Sequence, residues 1–465
     1  MIYDTIIAGG TVVTASDTIR CDVGIRAGKV ATLGLDLGEA RETIDATGLY
    51  VVPGGIDSHV HIAQPSGPGI IMADGFESCT RSAAFGGNTT ILPFCLQESG
   101  QSLRQAVTDY HAKAEGQCHI DVSFHLIISD PTEQVLGQEL PALVKDGYSS
   151  FKVFMTYDGL ALTDIQILET MAVARETGAL MMIHAENYDA IRFLTAQLER
   201  KGDTAPFFHG KSRPIPVERE ATHRAITLAE LKDVPLVVVH VSNGEARDEI
   251  ARAQAKGLNI MAETCPQYLV LTEDDMKGLN MEGAKYVCSP PPRDKASQVA
   301  CWEGLKSGVF TLFSSDHCPF RYDDEAGKLL PKGRTSFRWV PNGIPGVAAR
   351  LPILFSEGVS KGRIDINTFV AVTATNHAKT YGLYPQKGTI AVGSDADIVL
   401  WDPKRAETIT NANQHHGADY TPYEGFAVTG WPVLTMVRGR TVVRDGTLVG
   451  DKGHGKHMPR ATHNA

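Results

Sequence analysis

The 465-residue chain has no surplus of positive charge, with 44 Lys and Arg against 54 Asp and Glu and a net charge of −10. Nucleic-acid binding needs a basic face that displaces phosphate counterions, so no nucleic-acid partner is expected. Long hydrophobic runs are missing too. The longest, such as LVVV at 236–239 and ALMMI at 179–183, are far short of the roughly 20 residues that cross a bilayer, so no membrane partner is expected. The opening MIYDTIIAGG lacks the basic-then-apolar pattern of a secretory leader. Cysteine is sparse, at eight residues with no Cys-x-x-Cys pair, which predicts reduced thiols and a cytoplasmic location rather than a disulfide framework. The 45 Gly and 24 Pro are dispersed, so no linker or low-complexity block is expected. What is left is ordinary globular composition, 43% hydrophobic and 21% charged.

Residues 1–52 read as short strands broken by turns at Gly9-Gly10 and Ala27-Gly28-Lys29. The same texture returns in KGTIAVGSDADIVLWDP and TMVRGRTVVRDGTLVG. The two ends are therefore expected to build one small β-sandwich, from 1–52 and 384–450, with a tail at 451–465. Between them, short apolar β-rich runs occur at 54–62, 89–94, 121–129, 149–155, 179–186, 235–242, 259–265 and 311–317. Helical stretches such as SLRQAVTDYHAKAEG, ILETMAVARETG and GEARDEIARAQAKG fall between them, each ending in Gly. Eight strand–helix units with continuously apolar strands predict an α/β protein with a (β/α)₈ barrel over 53–383. A doubly wound open sheet would place a Gly-rich phosphate loop after the first strand, and none is present.

The polar residues fall at the carboxyl ends of these strands, the face where barrel sites are built. His59 and His61 end the first, His184 the fifth, His240 the sixth and Asp316 the eighth. Any one of these histidines alone reads as a hydrogen-bonded core residue. Four of them converging with a carboxylate read as ligands for zinc, with manganese as the alternative. Lys152 lies mid-strand in SSFKVFM, where an ammonium would be buried beside metal cations. Reaction with CO₂ would turn it into a carbamate, an anionic two-oxygen group able to bridge two metals about 3.5–4 Å apart.

The set VPGGIDSHVHI, GYSSFKVFMTYDG, MIHAEN, VVHVS, AETCPQYL, KYVCSPPPR, SSDHCPF and GSDADIVLWDP resembles the dihydropyrimidinase/hydantoinase family of cyclic amidohydrolases, over nearly the whole chain. The resemblance implies two divalent metals per chain, one held by His59, His61 and Asp316, the other by His184 and His240, with carbamylated Lys152 between them. It implies that Tyr157 hydrogen-bonds the developing oxyanion and that Ser289 and Asn342 hold the ring amide through main-chain groups. Phe154 and Leu160 would line the pocket for the ring substituent. Asp316 would move the proton to the leaving nitrogen. The product would be an N-carbamoyl amino acid, and the enzyme a homo-oligomer, a tetramer by the same resemblance.

Dihydroorotase-like relatives carry Arg two residues after the second His; here that residue is Ala63, which points to a small neutral ring, a dihydropyrimidine or 5-substituted hydantoin. Allantoinase or cyclic imide hydrolysis on the same scaffold is the alternative. A non-catalytic structural relative would have lost ligands, and a mononuclear deaminase would not need Lys152 or Tyr157. Ala63-Gln64 stands where many hydantoinases have Asp-Met, and Asn376-His377 where Asn-Pro is common. Asp57 is expected to orient a ligand histidine, Asp74 to cap a helix with Glu77 three residues on, and the tail with His454, His457 and His463 to be loosely ordered or to pack on a neighbouring subunit.

Overall fold

The computed structural model describes residues 2–463. Eight parallel strands form its centre: β1 (Gly55–Val60), β2 (Asn88–Leu96), β3 (His125–Ile127), β4 (Ser150–Phe154), β5 (Leu180–His184), β6 (Leu236–Val238), β7 (Ile260–Thr264) and β8 (Leu312–Phe313). Each pairs with the next in chain order. The ring is completed by a parallel bridge from Val60 to His317, where His61 N donates to His317 O at 2.7 Å. Strands buried on both faces carry apolar residues on both, and β1, β4, β5 and β7 are buried at every position. The architecture is the (β/α)₈ barrel expected.

Helix punctuation follows the sequence signals. Asp164–Thr177 starts on a Thr163/Gln166 capping box and ends on Gly178 at φ +72°. Helix Tyr188–Lys201 is capped by Asn187, which accepts from Ala190 N, so the strand carrying His184 passes directly into a helix.

Beside the barrel, Tyr3–Ala8, Asp22–Arg26, Lys29–Gly34 and Ala40–Asp45 form a four-stranded sheet. A seven-stranded sheet joins Thr11–Val13, Thr18–Arg20 and Tyr50–Pro53 from the beginning of the chain to Ile398–Thr408, Ala427–Val437, Arg440–Arg444 and Thr447–Leu448 from its far end. Ile7, Val23, Ile25, Val51, Ile398 and Leu434 pack in one core between the two sheets.

The tail corrects an expectation. It is ordered against this chain's own barrel: Val122 N donates to Lys456 O and Met458 N to Val122 O, each within 2.9 Å. Arg460 is 4% exposed, with Nε on Ser123 Oγ at 2.9 Å and a terminal nitrogen on Phe124 O. A buried guanidinium that satisfies two groups at the foot of the barrel fixes the segment, which is not loosely ordered. His454 Nε2 lies 3.0 Å from Val437 O and the His457 ring packs on that of His111, and residues 464–465 lie outside the described residues.

Candidate active site

The carboxyl ends of the strands open into a cavity of about 400 Å³. His61, Lys152, Phe154, Tyr157, Leu160, His184, His240, Ser289, Asp316 and Asn342 all line it, and His59 lies beneath, fully buried. The structure thus brings together every residue proposed from sequence for the site. Four imidazoles form a contiguous row, with ring centroids 5.3 Å apart for His61–His59, 5.2 Å for His59–His240 and 4.4 Å for His240–His184. His59 Nε2 lies 3.2 Å from Asp316 Oδ1 and 2.8 Å from Lys152 Nζ; His61 Nε2 lies 3.8 Å from the same Asp316 oxygen.

The backbone is bent to aim these groups. Ala63, Tyr157, His240 and Asp316 have φ of +51°, +83°, +41° and +52°, a left-handed region that side chains other than glycine seldom occupy. Such conformations persist where surrounding structure over-determines them, and they gather at functional sites. Here they fall just beyond β4, β6, β8 and β1, turning the chain so that Tyr157, His240 and Asp316 face the cavity, while Ala63 packs against the core.

Three of the four imidazoles have a partner that selects the tautomer. His59 Nδ1 sits 2.6 Å from Glu263 Oε1, and Ser314 Oγ donates to the other Glu263 oxygen. Gln64 Nε2 donates to Phe94 O at 2.5 Å, so its Oε1 faces His61 Nδ1 at 2.9 Å and accepts from it. His184 is held the opposite way, with Nε2 2.7 Å from Glu186 Oε2, which also accepts from Arg213. The unprotonated nitrogens, Nε2 of His59 and His61 and Nδ1 of His184, are thereby left free as ligands. His240 Nδ1 is buried with no hydrogen-bond partner.

Burial dominates the electrostatics. It drives His59 and His240 well below the ordinary imidazole range and His61 to about 3, with Lys152 adding to each. All three are neutral, the form that binds metal. Burial lowers the Lys152 ammonium to about 8, despite Asp316 and Glu263 nearby. Burial raises Asp316 to about 8, with Lys152 opposing it. Bound cations would pull that carboxyl back toward its ionised form. Burial also pushes the Tyr157 phenol up, keeping it an O–H donor. Neutral imidazoles, a carboxylate and an amine with depressed basicity, meeting at one mouth, fit divalent ions of the zinc type.

Two residues are placed differently from expectation. Asp57 does not touch the ring of a ligand histidine: its Oδ1 accepts from the main-chain N of His59 and of Ser315, tying β1 to β8, while Glu263 holds the ring. Asp74 does not cap a helix. Helix Phe76–Phe85 begins after Gly75 with no side-chain cap, and the Asp74 carboxylate instead accepts from His317 Nε2 at 3.0 Å and Gly417 N at 2.7 Å. His377, distant in sequence, packs under the site with Nδ1 2.9 Å from Ser58 Oγ. Glu263 and Glu186 sit inside quoted motifs but gave no positional signal of their role. A second acidic group, Asp121, Asp395 and Asp397, is filled by the ammonium of Lys387, within 3.0 Å of all three.

Residues 50–442 match the model of the Amidohydrolase family. The chain is 48% identical to a D-hydantoinase of Geobacillus stearothermophilus over 99% of this chain and 97% of that one. It is 39% identical to a D-phenylhydantoinase of Escherichia coli O1:K1 / APEC over 98% of both. The crystal structure of dihydropyrimidinase from Brevibacillus agri NCHU1002 superposes with a TM-score of 0.96 at 47% identity, covering 98% of this chain and 99% of that one. The chain belongs to the amidohydrolase family, within its hydantoinase and dihydropyrimidinase branch.

Proposed function

We propose that this enzyme opens the ring amide of cyclic ureides, with D-5-substituted hydantoins preferred and dihydropyrimidines also accepted, giving N-carbamoyl amino acids. The carrying observation is the convergence of His59, His61, Lys152, His184, His240 and Asp316 on one cavity that also bears Tyr157, Ser289 and Asn342. The relatives' names support the choice of hydantoin and of hand.

His59, His61 and Asp316 would hold one divalent ion, and His184 and His240 a second. Lys152 would join them as its carbamate, formed when the amine attacks CO₂ and loses a proton to solvent. We assign zinc, with manganese as the alternative. When bound, the pair supplies an acidified water and Lewis-acid polarisation of the substrate carbonyl.

The remaining work falls to the chain's own residues. Ser289 and Asn342 hold the ring amide through main-chain groups, and Phe154 and Leu160 receive the substituent. Tyr157 donates its O–H to the carbonyl oxygen as negative charge develops there. Asp316 takes the water's proton and delivers it to the departing ring nitrogen. One C–O bond forms, one C–N bond breaks, and one water is consumed. Ala63 offers no cation for an anionic ring. We further propose a division at 1–52, 53–383, 384–450 and 451–465, a cytoplasmic location and a homotetramer.

Metal analysis with a panel of hydantoin, phenylhydantoin, dihydrouracil, allantoin, dihydroorotate and succinimide tests the reading. Two metals per chain and fastest opening of hydantoins are expected. Dihydroorotate as the best substrate, or full activity with one metal, overturns it.

A further inference from the structure

Lys328 lies between Asp316 and Asn342 in EAGKLLPK, a stretch whose polarity reads as an exposed loop. Its side chain is completely buried. Nζ donates to Val287 O at 2.8 Å and to Pro341 O at 2.6 Å. Among the described residues no carboxylate pairs with it; an aromatic ring, Phe320, stands 5.9 Å away.

Burial lowers the pKa of this amine to about 7, and a buried lysine without a counter-ion is a poor choice for stability, where an apolar side chain would serve better. What it joins accounts for its presence. Val287 lies two residues before Ser289, and Pro341 directly precedes Asn342. Ser289 and Asn342 line the same cavity as His61, Lys152 and Asp316. The two segments run SPPPR and VPNG, and proline has no N–H to give a ladder. The contact between them is thus short of donors. One main-chain link exists, Gly343 N to Val287 O at 3.0 Å. Residue 343 itself must be glycine, since at φ +144° a Cβ there would lie 2.4 Å from Cys318 O. Two carbonyls cannot bond one another; a lysine Nζ, charged or neutral, carries at least two N–H donors and can join them.

We infer that Lys328 is a positioning residue that fixes the separation of the two segments holding the substrate ring. This rests on the role proposed above for Ser289 and Asn342. Lys328 does not touch the metal ligands, so its loss should loosen ring binding and leave the metal site whole.

The test is steady-state kinetics of the metal-loaded full chain as Lys328→Met and Lys328→Gln, with hydantoin and dihydrouracil, alongside metal content and thermal unfolding. For Lys328→Met, KM should rise about 10- to 100-fold while kcat changes by less than about threefold. Lys328→Gln keeps two N–H donors and should fall between this variant and the wild type, and metal content should be unchanged in both. A merely structural role would lower the active fraction, and so apparent kcat, without moving KM. That pattern, or failure of both variants to fold, overturns the inference. If Lys328→Met alone fails to fold, the KM of Lys328→Gln decides. A wild-type chain that opens neither ring overturns the functional reading itself, and this inference with it. A wild type that opens both, with variant KM unmoved, overturns the positioning role alone.

Discussion

Glu263 and His59, 204 residues apart, meet at 2.6 Å with both side chains wholly buried. An acceptor-only carboxylate against Nδ1 leaves Nε2 as the single lone pair that His59 can offer into the cavity. Glu263 Oε1 also accepts from His240 N at 3.2 Å, so one carboxylate on β7 fixes groups on β1 and just past β6. Glu263→Ala should lower metal affinity about 10- to 100-fold, while Glu263→Gln, which keeps one acceptor oxygen, should lose less. Competition with a chelator followed by metal analysis reads this directly. Unchanged retention in Glu263→Ala would remove the ring-orienting role.

Gln64 does for His61 what Glu263 does for His59, with a neutral amide. The Phe94 carbonyl dictates which end of the amide turns toward the imidazole. Gln64→Leu should free the His61 ring and weaken metal retention by about tenfold. Gln64→Glu keeps the acceptor facing Nδ1 but sets a carboxylate against the Phe94 carbonyl, so it should retain metal better than Gln64→Leu. Equal retention by all three proteins would show that Gln64 does not set the tautomer.

These pairings mark where sequence reasoning stops. The strand ends were legible because apolar runs, Gly-terminated helices and histidines at fixed strand positions are local signals. The tautomer partners were not, since which carboxylate meets which ring depends on the register between strands far apart in sequence. Asp57, near His59 in sequence, reads as the partner of its ring, yet its carboxylate meets main-chain nitrogen and Glu263 holds the ring. Asp74, placed before Gly75 and Glu77, looks like a cap, but His317 claims its carboxylate from 243 residues away. Lys328 gave no signal, because nothing local separates a buried loop lysine from an exposed one.

Lys387 binds the far end of the barrel to the sandwich. Its ammonium lies 2.5, 3.0 and 2.6 Å from Asp121, Asp395 and Asp397. Burial opposes the charge, but the three carboxylates, Asp397 foremost, raise the Lys387 pKa above its ordinary value. A raised folded-state value means the stabilisation is complete below the unfolded lysine pKa near 10.4 and disappears as pH climbs through the folded one. Near pH 7 it is fully present. Lys387→Met would leave three buried carboxylates with Arg438 on Asp121 and the half-exposed Lys29 on Asp395 as their remaining cations, and should cost about 3–5 kcal/mol. Unfolding midpoints should drop sharply while metal content at low temperature stays near that of the wild type. A midpoint within a degree or two would refute this.

Lys152 carries the most exposed prediction. Its Nζ is buried 2.8 Å from His59 Nε2 and 4.3 Å above the Phe94 ring, and burial already lowers its pKa to about 8. Attack on CO₂ requires free amine, and the lowered value leaves far more of it near neutral pH than an ordinary lysine has. As an ammonium beside two dications it would meet both desolvation and like-charge repulsion. As a carbamate it offers two oxygens and a negative charge instead. Lys152→Ala should therefore lose the paired metals and nearly all activity while the barrel stays folded. Acetate or propionate should restore part of both, because a small carboxylate can fill the vacated place. Lys152→Arg should not recover, since guanidinium keeps its charge and forms no carbamate. Labelling with ¹³C-bicarbonate should give a carbamate carbon signal in the wild-type enzyme and none in Lys152→Ala. Retention of two metals and near-normal turnover by Lys152→Ala would end the carbamate assignment.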